Sequence, residues 1–282
     1  MSAFTFTDPL LKELAIDHLL LGCTLKGVRI DPDFALPTGG ELERNPKVLA
    51  TVANIKESAK EDGRIHPLFG RHKTTNRITV SRPNLLAIKE DVKRMILPDE
   101  GHVMMECYFK HAELRCAQTV SGDTDFFAML NTLDPHEYMG AKLGIPRNAA
   151  KTAAFAAISN KPHVGWIAEN PVEGGWYATW PKRYLEHFPV LRDWLAANRF
   201  NHNASTQIQT MGSAALDEML YKVAVELDGT GARIVMPSID GMMVSVPEGR
   251  EEYLREQIRF AMAQNCLNAY VEINTSTSLY MP

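Results

Sequence analysis

Residues 233–246 have the sequence RIVMPSIDGMMVSV, and this stretch decides the fold class. Two apolar runs, Arg233–Met236 and Met242–Val246, flank a short segment that ends in Asp240-Gly241. Apolar β-formers on both sides of a turn segment are typical of paired strands. Asp-Gly is a residue pair that tight hairpin turns favour. The stretch therefore predicts an antiparallel β-hairpin, and with it a sheet.

Further strand-like runs lie on both sides of this hairpin. Residues 77–81 and 102–108 precede it, and residues 269–273 follow it after a predicted helix over 247–263. By contrast, the long segment from Glu113 to Leu195 has mostly helical patterning. Strands that are separated by a large helical segment and then rejoined by a hairpin predict an α+β fold with a helical lobe inserted into an antiparallel sheet.

The first 62 residues are predicted to be helical. Asp8-Pro9 is typical of a capped helix start, and leucines follow it at helical spacing as far as Gly22, namely Leu10, Leu11, Leu14 and Leu19. A second helix is predicted to begin at Asn45-Pro46 and to end at Gly63.

Composition narrows the class of protein. The 282 residues are 45% hydrophobic and carry a formal net charge of −4, so the chain can bury a large core, and net charge alone does not identify a partner. No apolar run approaches the roughly 20 residues that a transmembrane helix needs, and no leader pattern is present, which predicts a cytoplasmic protein without membrane contact. The four cysteines are far apart and predict neither disulfides nor a zinc site.

Positive charge is concentrated in one short stretch with few acids. Either a phosphate-contacting strip or a solvated loop would explain this cluster, which comprises Arg64, His66, Arg71, His72, Lys73, Arg77 and Arg82.

An ordered set of short motifs extends from about residue 63 to the C-terminus. The first group is Gly63–Pro67, Thr74–Ile78, Pro83–Leu85 and Ile96–Gly101. It is followed by Glu113-Leu114-Arg115, Ser121-Gly122-Asp123 and Asp134-Pro135-His136. Arg147, Lys151 and Phe155 have R-x-x-x-K-x-x-x-F spacing, Gln209 precedes Gly212 and Ala214, and Ile239-Asp240-Gly241 comes last. In order and spacing this set resembles the palm and fingers of family A (polymerase I type) DNA polymerases.

The resemblance implies a domain plan. Residues 63–125 and 205–282 would form the palm, residues 126–204 the fingers, and residues 1–62 at most a remnant of the thumb. The chain is too short to include an exonuclease domain. The early motifs would contact the template-primer backbone through Arg64, Lys73, Thr74 and Arg77, and Gln209 would read the minor groove.

The resemblance also implies a catalytic site, and here the sequence departs from the family. Family A enzymes hold two magnesium ions with two palm aspartates, but the first position is Tyr108, a phenol that is neutral at pH 7. Glu106 lies two residues earlier and faces the same side of the strand. Asp240 keeps the second position, followed by Gly241 where the family has a glutamate. A metal would be held weakly, by Asp240 with or without Glu106, although a surface glutamate and a turn aspartate are the alternatives.

The fingers positions are partly retained. Arg147 and Lys151 lie one turn apart and match the residues that grip the incoming triphosphate, with Phe155 in register, although a solvated helix face is the alternative. The family's stacking tyrosine is replaced by Ser159. Trp176 lies in an aromatic segment, residues 166–180, that either stacks on an unpaired base or anchors a loop.

These departures leave four functional hypotheses. The first is a DNA-binding, polymerase-like protein without normal templated synthesis, in a phage or prophage setting, which acts on duplex or primed DNA, alone or with other replication or modification proteins. The second is a transferase that uses the polymerase fold to modify bases within DNA. The third is a minimal active polymerase that uses Glu106, Asp240 and Mg²⁺. The fourth is an interaction module that retains the fold without the chemistry.

Overall fold

The computed structural model describes residues 9–36, 45–88, 90–159, 180–198, 203–267 and 269–275. The chain divides into two compact units. The sheet unit comprises residues 1–110, 213–266 and 270–282, and the helical unit comprises residues 111–212 and 267–269. The predicted domain limits at residues 126 and 204 stay a prediction.

The sheet unit contains nine strands among its described residues. They are β1 (Val28–Ile30), β2 (Arg64–Ile65), β3 (Leu68–Arg71), β4 (Ile78–Ser81), β5 (Ile96–Leu97), β6 (His102–Phe109), β7 (Arg233–Pro237), β8 (Gly241–Pro247) and β9 (Val271–Thr275). Its helices are α1 (Pro9–Lys26), α2 (Pro46–Glu57), α3 (Glu90–Lys93) and α11 (Glu251–Ala263).

The helical unit is built from α4 (Ala112–Ser121), α5 (Thr124–Leu130), α6 (Pro135–Leu143), α7 (Arg147–Ser159), α8 (Trp180–Glu186) and α9 (Pro189–Ala197). The long helix α10 (Asn203–Leu227) begins in this unit and ends in the sheet unit. The α+β prediction with an inserted helical lobe is confirmed.

The main sheet is antiparallel, with the strand order β7-β8-β6-β9. Its central strand β6 is predicted almost to the residue, and the predicted hairpin forms from β7 and β8. Side chains alternate along β6, so that Met105, Cys107 and Phe109 are buried on one face. Glu106 and Tyr108, which lie between them, are half-buried on the other face.

One buried carboxylate and one aromatic cluster hold helices of the helical unit together. Asp123 caps α5 by accepting from the backbone amide of Phe126 at 2.9 Å, and its second oxygen accepts from the amide of Leu191 in α9, also at 2.9 Å. The Phe126 ring packs against Tyr184 and Phe188, with centroids 6.4 and 4.9 Å away. These contacts join α5, α8 and α9 into a common core.

The predicted end of α1 at Gly22 is wrong. The helix continues through Gly22 to Lys26, and its buried face is formed by Ile16, Leu20 and Cys23. Leu10, Leu11 and Leu14 are exposed. The leucine spacing therefore identified the helix but not the side that packs.

Two other predicted boundaries are also wrong. The helix predicted from Pro247 begins at Glu251, because Pro247 still pairs with His102 in the sheet and Gly249 turns the chain with a φ of +81°. The helix predicted to end at Gly63 ends at Glu57, and Gly63 lies in a separate turn with a φ of +71°.

A half-buried ion cluster links β2, β7 and the loop before β6 in the sheet unit. Asp99, in the loop before β6, accepts from Arg64 of β2 at 2.7 Å and from Arg233 of β7 at 2.6 and 2.9 Å. Arg233 also donates to the backbone oxygen of Gly27 at 3.1 Å. Burial raises the pKa of Asp99, but the hydrogen bonds and charges of Arg233 and Arg64 outweigh burial and hold that pKa well below its ordinary value.

We expect Asp99→Asn to lower the free energy of unfolding by about 3 kcal/mol at pH 7, because two partly buried guanidinium groups lose their counter-charge. The unfolded pKa of an aspartate is about 3.9, so this carboxylate stabilises the fold above that pH, and its contribution is lost as the pH falls towards the lower folded value. Urea unfolding at pH 7 and at a series of pH values below about 3.9 measures both effects. Asp17→Asn is the control, since Arg71 keeps Asp217 as a partner. Equal losses in the two variants would contradict this role for Asp99.

Candidate functional site

A cleft of about 400 Å³ opens on the half-buried face of the main sheet. Three of the predicted site residues, Glu106, Tyr108 and Asp240, line it together. The rest of its wall comes from the chain between β4 and α3, from β7 and β8, and from Asn274 of β9. The structure therefore brings the predicted palm positions to one place.

Glu106 is already paired with a cation. Its Oε1 accepts from Lys93 Nζ at 2.8 Å, and both side chains are largely buried, with 19% and 28% of their surfaces exposed. Lys93 is the last residue of the short helix α3. A metal ion at Glu106 would have to displace this ammonium group.

Tyr108 belongs to a hydrogen-bonded group on the same face. Strand pairing places Tyr108 opposite Glu272, and Glu106 opposite Asn274. Burial, followed by the hydrogen bond to Glu272, raises the pKa of the Tyr108 phenol well above its ordinary value, while Asn274 opposes this shift through a second hydrogen bond. Glu272 in turn pairs with Lys110. The Tyr108 hydroxyl is therefore neutral at physiological pH.

Asp240 lies exposed at the tip of the hairpin. Its backbone oxygen accepts from the amide of Phe109 at 2.9 Å, and Ser238 Oγ is 3.4 Å from its carboxylate. The backbone bond fixes the position of the residue, and the carboxylate is open to solvent.

Position 241 requires glycine because strand β8 approaches strand β6 closely there, and not because the turn needs a positive φ. It is the first residue of β8, lies opposite Tyr108, and is not among the glycines with positive φ. A Cβ atom at position 241 would lie 2.2 Å from the Cys107 backbone oxygen and 2.7 Å from Tyr108 Cβ. The Asp-Gly pair thus predicted the hairpin correctly but for the wrong physical reason.

The palm residues do not fit a two-magnesium site. Mg²⁺ prefers carboxylate oxygens in near-octahedral geometry. Position 108 supplies a neutral phenol, position 241 supplies no side chain, and Glu106 is neutralised by Lys93. Within the described ranges, no group of three His, Cys, Asp or Glu side chains is arranged to hold a metal ion.

The predicted phosphate-binding residues lie on α7 of the helical unit. Alanines fill the buried face of this helix, and Arg147 and Lys151 lie exposed on another side. Arg147 Nε donates to Asp134 at 2.6 Å, so this cation already has a carboxylate partner. The Phe155 ring lies 6.4 Å from that of His136, whose pKa is lowered to about 4, chiefly by burial and next by the neighbouring His111. Whether Arg147, Lys151 and Phe155 bind a triphosphate stays a prediction.

The predicted DNA-contacting residues differ in availability. Lys73 and Thr74 are exposed, and Arg77 is half-buried, in the loop between β3 and β4, whereas Arg64 is engaged by Asp99. Gln209 Nε2 donates to Ser205 Oγ at 3.3 Å along α10. Trp176 lies outside the described residues. Their contacts with DNA stay predictions.

Three residues of the cleft's polar network were not found by sequence reasoning. Lys93 lies in a short helix without a distinctive pattern, and Glu272 and Asn274 belong to a strand that was predicted to end at residue 273. Period-two alternation along a strand that extended to Thr275 would have placed Glu272 and Asn274 on one face. No sequence signal pairs Lys93 with Glu106.

The comparisons with known proteins bear on the fold of the chain. No protein-family model matches the chain. The DNA polymerase I of Caldicellulosiruptor bescii is 25% identical over 168 residues, which are 53% of this chain and 20% of that polymerase. The POL domain of Pol1 from M. smegmatis, in a complex with DNA primer-template and dNTP, superposes with a TM-score of 0.69. That match has 17% identity and covers 83% of this chain and 51% of the other.

The chain has the palm and fingers fold of a family A polymerase. It spans about a fifth of the length of the C. bescii polymerase and about half of the M. smegmatis chain. Within the described ranges, no helix combines the length and apolar character that a bilayer crossing requires.

We expect Gly241→Ala to lower the free energy of unfolding by more than about 2 kcal/mol, because the new methyl group overlaps a backbone oxygen that cannot move without breaking the β6–β8 pairing. Gly22→Ala is the matched control. Nothing lies within 4 Å of a Cβ at position 22 in α1, so that change should stabilise the protein by about 1 kcal/mol through helix propensity. Urea unfolding of both variants tests the contrast, and a harmless alanine at position 241 would refute the close approach.

Proposed function

We propose that this chain binds duplex or primed DNA through a polymerase-type fold without carrying out ordinary templated nucleotide addition. One observation carries the proposal: the strand register puts Tyr108 opposite Gly241, and the motif resemblance assigns both positions to carboxylates in family A enzymes. The fold supports a DNA-related role, and the altered palm supports the loss of the usual chemistry.

Support for DNA binding comes from the fold and from the loop between β3 and β4. The structural relative is a polymerase domain with a primer-template. In this chain, Lys73 and Arg77 belong to the loop positions that resemble the backbone-contacting segment of such enzymes, and neither has an ion pair among the described residues. Phosphate contacts by such side chains supply sequence-independent affinity.

Support for the loss of synthesis comes from charge. The two-metal route stabilises the attacking and leaving oxygens of nucleotide transfer, and it needs carboxylates that are free to bind the ions. Here Glu106 would first have to give up Lys93, and Asp240 alone would remain. Magnesium would therefore be held weakly, which favours the first hypothesis over a minimal polymerase that uses Glu106 and Asp240.

A second candidate is the modification of bases within DNA, in a phage or prophage setting. The observation in its favour is the cleft of about 400 Å³. This cleft is present although the residues at positions 108 and 241 differ from the carboxylates that the resemblance implies. An interaction module would not need such a cleft. The setting and the modification chemistry stay proposals.

We expect the affinity for duplex and primed DNA to fall steeply with salt, because each neutralised phosphate contributes a slope of about −0.9 in log affinity against log salt. Lys73→Ala and Arg77→Ala should each reduce the slope by about 1. Arg259→Ala on α11 is the control, since Arg259 is an exposed cation that pairs with Glu256 far along the chain from this loop. Fluorescence anisotropy over a salt series measures these slopes. Binding that is insensitive to salt, or no binding, would refute the proposal.

A further inference from the structure

We infer that the palm cleft receives an uncharged nucleobase outside a base pair, in place of a metal-bound triphosphate. The inference deepens the proposed function by giving the cleft a ligand class. It depends on three observations: the shape of the cleft floor, its charge, and the presence of both polar and apolar groups in its lining.

The floor is a row of side chains across the sheet. Strand pairing sets Asn274 beside Glu106, Glu106 beside Met243, and Met243 beside Met236. One end of this row is therefore a carboxamide and a carboxylate, and the other end is two thioethers. Tyr108 lies in the next row, opposite Gly241, where the backbone of β6 occupies the space that a side chain at position 241 would need.

The charge of the cleft disfavours an anion. Its lining includes one ammonium group, on Lys93, and two carboxylates, on Glu106 and Asp240. The Lys93 ammonium group pairs with the Glu106 carboxylate at 2.8 Å. The Asp240 carboxylate therefore has no counter-charge among the lining residues. A triphosphate without metal ions would be repelled by this arrangement, whereas a nucleobase is neutral at pH 7.

The arrangement of the lining suits a flat ring with a polar edge. Ile239, Met236 and Met243 offer apolar contact to a ring face, and thioethers make favourable contacts with aromatic rings. Asn274, Ser238 and Glu106 offer donors and acceptors for a ring edge. Extruded bases are bound in this way, by apolar contact on the faces and hydrogen bonds at the edge. The volume of about 400 Å³ accommodates a base with its sugar.

The base can come from two sources, an unpaired position in DNA or a free nucleoside. Two matched DNA duplexes separate them, each with a single 2-aminopurine, which is paired with thymine in one and lies opposite an abasic site in the other. The third probe is free 2-aminopurine riboside. Anisotropy gives the affinity for each duplex at one fixed salt concentration, and 2-aminopurine fluorescence reports transfer of the base from the stack.

The expected result is about tenfold tighter binding of the duplex with the unpaired base, since extruding a paired base costs a few kcal/mol. Ile239→Ala and Asn274→Leu should each reduce this preference to about threefold or less, because one removes apolar contact and the other removes the amide. Val225→Ala is the control for Ile239→Ala, since both residues are exposed aliphatic side chains and Val225 lies on α10 outside the cleft lining. The control should leave the preference unchanged. Circular dichroism verifies that every variant is folded.

The outcomes separate this inference from the proposed function. Equal affinity for both duplexes, together with no nucleoside binding, overturns the nucleobase site and leaves DNA binding intact. Nucleoside binding that Asn274→Leu weakens, without any DNA binding, supports the nucleobase site and overturns the proposed function. A preference that neither Ile239→Ala nor Asn274→Leu alters overturns the assignment to this cleft.

Discussion

The close approach of strand β8 to strand β6 at Gly241 is the constraint on which the rest of the site depends. A Cβ atom at this position would lie 2.2 Å from a backbone oxygen of β6, so the pairing exists only with glycine. The same pairing fixes Tyr108 opposite that glycine and leaves Asp240 at the hairpin tip. This pairing therefore leaves position 241 without a side chain and places the Asp240 carboxylate at the solvent.

Several other carboxylates of the sheet unit are paired with cations within the protein. Lys93 neutralises Glu106, Lys110 neutralises Glu272, and the Asp99 cluster holds β2 and β7 to the loop before β6. Glu106 and Glu272 therefore have their counter-charges within the protein. The cleft that remains is weakly charged and half apolar, which is why a neutral ligand suits it.

Sequence patterns predicted the elements of this fold better than the contacts between them. The hairpin at residues 233–246 and the strand from His102 were found because alternation and apolar runs are local properties. The face of α1 that packs could not be predicted, because leucine spacing does not distinguish a core face from an exposed one when the partner elements are unknown. The pairing of Lys93 with Glu106 and the reason for Gly241 depend on the register between strands and on the path of a short helix. Neither is encoded in residue spacing, so neither could be predicted.

The central claim is that the charges at positions 106, 108, 240 and 241 do not support two-metal nucleotide addition. Extension of a labelled primer on a template, with Mg²⁺ and all four deoxynucleoside triphosphates, tests this claim most directly. We predict no extension product by the unmodified protein under conditions in which it binds the same DNA. Extension at ordinary polymerase rates that Asp240→Ala abolishes would contradict the claim, and would mean that Glu106 leaves Lys93 to bind metal.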